Sequence, residues 1–113
     1  MPMIRRIDEL DELEKALKGR RAMVLFHATW CPYCRAFRSM YDQIADSSRV
    51  YEPFEAVVDD TENPLWEEYG LEVVPAVLFF RDGRVEKRID ATAGVGLSST
   101  DVRRVLALLE RAA

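Results

Sequence analysis

The stretch Ala22 to Ala28, AMVLFHA, is apolar at every position except His27. Successive strand residues point to opposite faces of a sheet, so such a run has no solvent face and needs cover on both sides. In a chain of 113 residues that cover comes from helices of the same domain, which directs the chain to an α/β layered fold. The length fits one domain, 1–113, large enough to bury a core without disulfide staples.

Elements on either side agree. Ile4 to Ile7 alternates weakly and reads as a short first strand. Asp8 to Lys18 reads as a helix, with Leu10, Leu13 and Leu17 at helical spacing, Asp8 as N-cap and Gly19 past the end. Arg35 to Ala45 carries Phe37, Met40, Tyr41 and Ile44 on one helical face. Tyr51 to Asp59 reads as a strand, with Pro53 near its start. Asn63-Pro64 opens a short helix that Gly70 ends. Val77 to Phe80 reads as a second buried strand, turned by Asp82-Gly83 into its partner Val85 to Ile89. Ser98 with Asp101 caps a last helix carrying Val102, Val105, Leu106 and Leu109. The order β-α-β-α-β-α-β-β-α implies parallel pairings plus an antiparallel edge, hence a mixed sheet.

Composition excludes several function classes. Sixteen Lys and Arg against 20 Asp and Glu give a net charge of −4, without the basic stripe of a nucleic-acid binder. The longest apolar run, Val73 to Phe80, falls well short of the roughly 20 residues a membrane span needs. Met1 to Arg6 is followed by no apolar targeting core, so the cytosol is the expected compartment and its thiols are expected reduced. A structural staple between Cys31 and Cys34 would close too small a loop to stabilise much. Two cysteines and His27, the single histidine, fall short of the four ligands of structural zinc. No metal or cofactor is expected. Inert packing of both cysteines is the remaining bland reading.

Trp30-Cys31-Pro32-Tyr33-Cys34 lies between the buried strand and a helix. Unpaired N–H groups and the positive dipole end at a helix start favour thiolate over thiol. Cys31, nearest the terminus, is the expected nucleophile. Cys34 is within folding distance to attack a mixed disulfide and release the substrate. Pro32 restricts the loop and Arg35 adds a cation. His27 reads first as a packing or hydrogen-bonding residue and second as a tuner of Cys31. Trp66 and Tyr69 read as packing, and the acidic run Asp8 to Glu14 as a solvated helix face.

Several ordered segments share one resemblance: Met23 to Phe26 running into Ala28-Thr29-Trp30-Cys31-Pro32-Tyr33-Cys34; Asp59-Asp60 and Asn63-Pro64; Tyr69-Gly70-Leu71; Val73-Val74-Pro75-Ala76; Phe80-Arg81-Asp82-Gly83; and Gly96-Leu97-Ser98. Together they resemble the thioredoxin family from about Ile4 to Leu109. The resemblance implies a thioredoxin fold, a single mixed β-sheet with helices on both faces. It also implies a cis Val74–Pro75 bond facing the dithiol, and a substrate groove rimmed by Trp30, Pro32, Tyr33, Val74, Pro75 and the Gly94–Gly96 loop. An extended substrate segment would pair with the backbone before Pro75.

Three features depart from the family pattern. Pro32-Tyr33 replaces Gly-Pro and gives the Cys-Pro-Tyr-Cys of glutaredoxins, read here as a change in redox poise. Leu25 stands where the family commonly buries an aspartate that helps deprotonate the second cysteine. Water, Arg35 or a carboxylate such as Glu55 would then compensate, or resolution slows. Ser39 replaces a kinking proline, so that helix is expected straighter.

The expectation is a cytoplasmic, monomeric protein-disulfide reductase. Its partners would be disulfide-bearing protein substrates and an electron donor, either a reductase or a small dithiol, with no nucleic acid and no membrane. Its rivals are a glutathione-linked, glutaredoxin-like enzyme, a non-catalytic module switched by its dithiol, and a net oxidant or isomerase.

Overall fold

The computed structural model describes residues 3–113. Met1 and Pro2, part of the stretch read for a targeting segment, lie outside them. The elements run β1 (Arg5–Arg6), α1 (Leu10–Leu17), β2 (Arg21–His27), α2 (Pro32–Ser47), β3 (Glu52–Val57), α3 (Leu65–Glu68), β4 (Ala76–Arg81), β5 (Arg84–Asp90) and α4 (Ser99–Ala112). The strands form one mixed sheet in the order β1-β3-β2-β4-β5.

β2 occupies the centre, parallel to β3 and antiparallel to β4. Its residues Ala22 to Phe26 are fully buried, as the two-faced apolar pattern requires. Val24 and Phe26 join Phe54, Leu78 and Phe80 under α1 and α3, which contribute Leu13, Leu17 and Leu65. Met23 and Leu25 join Val77 and Phe79 on the opposite face, under Phe37, Tyr41 and Ile44 of α2 and Val102 and Leu106 of α4. Burying one such side chain contributes roughly 1.5–3 kcal/mol, so the two small cores depend on this strand. Tyr41 ties the layers together: its hydroxyl lies 2.8 Å from the Phe54 carbonyl and 3.1 Å from that of Met23.

The structure differs from the sequence reading in several places. Asp8 does not cap α1, whose N-cap is Glu9 with no side-chain cap bond. Its carboxylate instead accepts the Val57 N–H at 2.8 Å and pairs with Arg6, anchoring the chain to β3. The second difference is that the antiparallel relation begins one strand earlier than the hairpin, because β4 itself runs against β2. Elsewhere the turn and cap signals hold. Asp82 and Gly83 both have positive φ (51° and 81°), the conformation of a two-residue hairpin turn. The Ser98 hydroxyl accepts the Asp101 N–H at the start of α4. α2 is one helix of 16 residues that runs through Ser39 and starts three residues before the expected Arg35, so Cys34 lies in its first turn.

Candidate active site

The dithiol sits where β2 ends and α2 begins. Cys31 is the N-cap of α2 with extended backbone, and Pro32 takes the first helical position, where its missing N–H costs nothing. The Cys31 Sγ accepts the Cys34 N–H at 3.4 Å, so one unpaired donor of the helix start points at the expected nucleophile. From the other side the Cys31 thiol faces the Val74 carbonyl at 3.6 Å. Val74–Pro75 is cis, and the Pro75 carbonyl accepts the Ala91 N–H, joining this loop to the end of β5.

Both cysteines are free thiols, but their surroundings differ. Cys31 keeps 6% exposure and Cys34 has none. Burial pushes the Cys34 thiol up to about 12, against the pull of the Ala28 N–H, which it accepts at 3.4 Å; the neighbouring Cys31 adds to the rise. Of the two sulfurs, the one expected to attack thus keeps a little exposure, and the one expected to resolve is fully enclosed.

The loop before the dithiol is fixed by Asp59, just past β3. Its carboxylate accepts both the Thr29 N–H and the Thr29 hydroxyl at 2.6 Å, and its carbonyl accepts the Trp30 indole N–H at 3.0 Å. The two Thr29 bonds hold the Asp59 carboxyl below the usual range. Arg35 donates to the Thr29 carbonyl at 3.0 Å, so this cation braces the loop. Trp30 and Tyr33 stay about half exposed at the rim. Tyr33 packs against Gly96, where an added Cβ would meet the ring at 3.0 Å. The Gly94–Gly96 loop therefore reaches Tyr33, which lies between the two cysteines. Paired backbone bonds between Thr92 and Gly96 close it and leave Val95 exposed at its tip.

A charged network joins β3 to β2 and α2. Glu55 on β3 is the one buried charged residue among those described. It meets His27 Nε2 at 2.8 Å and accepts both Arg38 Nε and Nη2 at 3.0 Å. These bonds, the His27 one foremost, hold its carboxyl down at about 2. Glu55 is paired in register with Leu25, so a carboxylate does lie beside the position the sequence left apolar. His27 is hydrogen-bonded, as its first reading had it. Tyr69 packs against Phe26 and Phe80, and Trp66 is partly buried against the same core, so both are packing residues.

The structure thus brings Trp30, Cys31, Pro32, Tyr33, Cys34, Val74 and Pro75 to one end of the sheet. Sequence reasoning missed the clamp by Asp59 and the part of Arg38. Asp59-Asp60 carried a signal through its fixed place after the strand; Arg38 carried none, being one of many surface-type arginines.

Comparison with known proteins agrees with this geometry. The thioredoxin family model matches residues 7–100. A thioredoxin-like protein of Fusarium culmorum is 29% identical over 96% of this chain and 90% of its own length. A thioredoxin of Mycoplasmoides gallisepticum is 32% identical over 72% of this chain and 79% of its own length. Among solved structures, the thioredoxin of Malassezia sympodialis superposes with a TM-score of 0.81 at 20% identity, covering 96% of this chain and 91% of that one.

Proposed function

The chain belongs to the thioredoxin family and is a thiol–disulfide oxidoreductase with protein-disulfide reductase activity; from that premise we propose a division of labour in which Cys31 attacks the substrate disulfide and Cys34 resolves the product. The observation that carries this assignment is the pair of contacts at Cys31: the helix-start N–H of Cys34 on its sulfur and the Val74 carbonyl beside it. A thiolate at Cys31 attacks one substrate sulfur and the second leaves as a thiolate. The Cys34 sulfur then attacks Cys31 Sγ, the Cys31–substrate bond breaks, and the intramolecular disulfide remains. The reduced substrate leaves with two thiols. An extended substrate segment docks along Val74 beside cis Pro75. The exposed faces of Trp30 and Tyr33 flank it.

Returning the disulfide to the dithiol takes two electrons. A reductase or a small dithiol supplies them in a reducing, cytosolic setting. A solved thioredoxin f2 is described in complex with a ferredoxin:thioredoxin reductase (TM-score 0.73, 20% identity), and this likeness supports a reductase as donor. Turnover of a protein disulfide, measured with NADPH and a thioredoxin reductase and separately with glutathione, tests the reading. Turnover with the reductase supports it, turnover with glutathione alone overturns the donor, and turnover with neither overturns reduction as the function.

A further inference from the structure

Cys34 has to lose its proton before it can attack, yet its sulfur is fully buried and its one hydrogen-bond donor among the described residues is the Ala28 N–H. That N–H does not remove a proton. A neighbouring base has to, and Leu25, fully buried at the centre of the sheet, has no group for the task.

His27 is placed for it. Its Cα is one peptide bond from the Ala28 nitrogen, which lies 3.4 Å from the Cys34 sulfur. By backbone geometry the His27 Cα is therefore within about 6 Å of that sulfur. Leu25, two residues earlier on β2, packs under Phe37 and Tyr41 of α2, so the His27 side chain lies on the sheet face that α2, the helix carrying Cys34, covers. Arg38 follows Cys34 by four residues on α2, one helical turn away on the same face, and its guanidinium holds the carboxylate that holds His27. β2, β3 and α2 thus meet in one network, one turn of α2 from Cys34.

The network also fixes the tautomer. Glu55 is ionised and only accepts, so the proton of neutral His27 sits on Nε2, 2.8 Å from Glu55 Oε1. Nδ1 then carries a lone pair, and it makes no hydrogen bond with the described residues. We propose that His27, oriented by Glu55 and Arg38, accepts the proton of Cys34 at Nδ1 as the mixed disulfide is resolved.

This step rests on the Cys31-attacks, Cys34-resolves reading. The Cys34 proton passes to Nδ1, the Cys34 thiolate attacks Cys31 Sγ, and the Cys31–substrate S–S bond breaks. The electron pair leaves on the substrate sulfur, which takes the proton back from the imidazolium. No external oxidant or reductant takes part. The charged groups around the imidazole are Glu55 from β3, Arg38 from α2 with Asp42 behind it, and Asp59 from the loop after β3. Glu55 is the nearest, and its negative charge stabilises the imidazolium that the transfer creates. Burial keeps the Cys34 thiol protonated in the neutral range, which is the condition under which such an acceptor matters.

The two thiol steps separate when reduced protein reacts with Ellman's reagent. Attack by Cys31 releases one coloured thiolate, and attack by Cys34 on the resulting mixed disulfide releases the second. In stopped flow near neutral pH, His27→Gln should slow the second release at least tenfold and leave the first within about twofold. Its second phase should rise about tenfold per pH unit on the alkaline side, following the free thiolate, more steeply than wild type. In His27→Ala, added imidazole should restore the second phase. A second phase within twofold of wild type in both variants overturns the proposal, as does slowing confined to the first phase or failure of imidazole to rescue. Absence of a second release from wild-type protein would instead overturn the dithiol reading beneath it.

Discussion

Replacing Glu55 by Gln should remove stability at neutral pH that acid also removes from the wild type. The Glu55 carboxyl is held at about 2 against an ordinary value of 4.5, by His27 first and Arg38 after it. A depressed folded-state pKa adds stability that is complete above the unfolded value and is lost as pH falls through the folded one. The window therefore runs from about pH 4.5 down to about pH 2. Its size follows from 1.36 kcal/mol per pH unit, on the order of 3 kcal/mol across 2.5 units. The side chain is only 12% exposed, so solvent screens little of this. Gln keeps the shape and one acceptor oxygen but no charge. It leaves His27 without its counterion, whereas Arg38 keeps Asp42 at 2.7 Å and, at 30% exposure, can also turn to water. Urea unfolding at pH 7, 5, 4 and 3 provides the assay. Wild type should exceed the variant by about 2–3 kcal/mol at pH 7, and the gap should narrow steadily below pH 4.5. A gap that stays constant down to pH 3 would refute the reasoning, because the loss would then be one of packing and not of charge.

Three further outcomes follow from particular contacts. Tyr41→Phe removes a hydroxyl buried between the Met23 and Phe54 carbonyls and should lower stability in urea by about 1–2 kcal/mol. Asp59→Ala frees the Thr29–Trp30 loop; KM for a protein disulfide should rise several-fold with kcat little changed, read in a steady-state reductase assay. Gly96→Ala places a Cβ 3.0 Å from the Tyr33 ring at a φ of +101° and should cost about 1–3 kcal/mol, seen as a lower thermal midpoint.

The central strand and the dithiol were legible in the sequence because both are local. Seven residues without a solvent face specify β2, and a Cys-x-x-C at a strand-to-helix boundary specifies its own setting. Ser98 and Asp82-Gly83 were legible for the same reason, since a cap and a turn act over three or four residues. Asp8 was misread because its side chain serves a partner 49 residues away, Val57, and a short-range capping rule outweighed a contact no local pattern shows. The direction of β4 was not legible because the connection from Val57 to Ala76 is long enough to return the chain either way. The His27–Glu55–Arg38 network joins residues 28 and 17 positions apart. Each reads alone as an ordinary polar residue, and only the pairing of β2 with β3 under α2 makes them one unit. The cis bond before Pro75 and the Gly94–Gly96 loop as part of the groove rim were reached through resemblance; the bond is cis, and Gly96 lies against the Tyr33 ring.

The division of labour between the two cysteines is tested most directly by trapping. Cys31→Ser and Cys34→Ser proteins are mixed with a protein disulfide, quenched with an alkylating agent and analysed by non-reducing electrophoresis and mass spectrometry. Cys34→Ser should accumulate a mixed disulfide through Cys31, Cys31→Ser should accumulate none, and neither should turn over. Trapped substrate on Cys34 of the Cys31→Ser protein, or reductase activity surviving in it, would contradict the account.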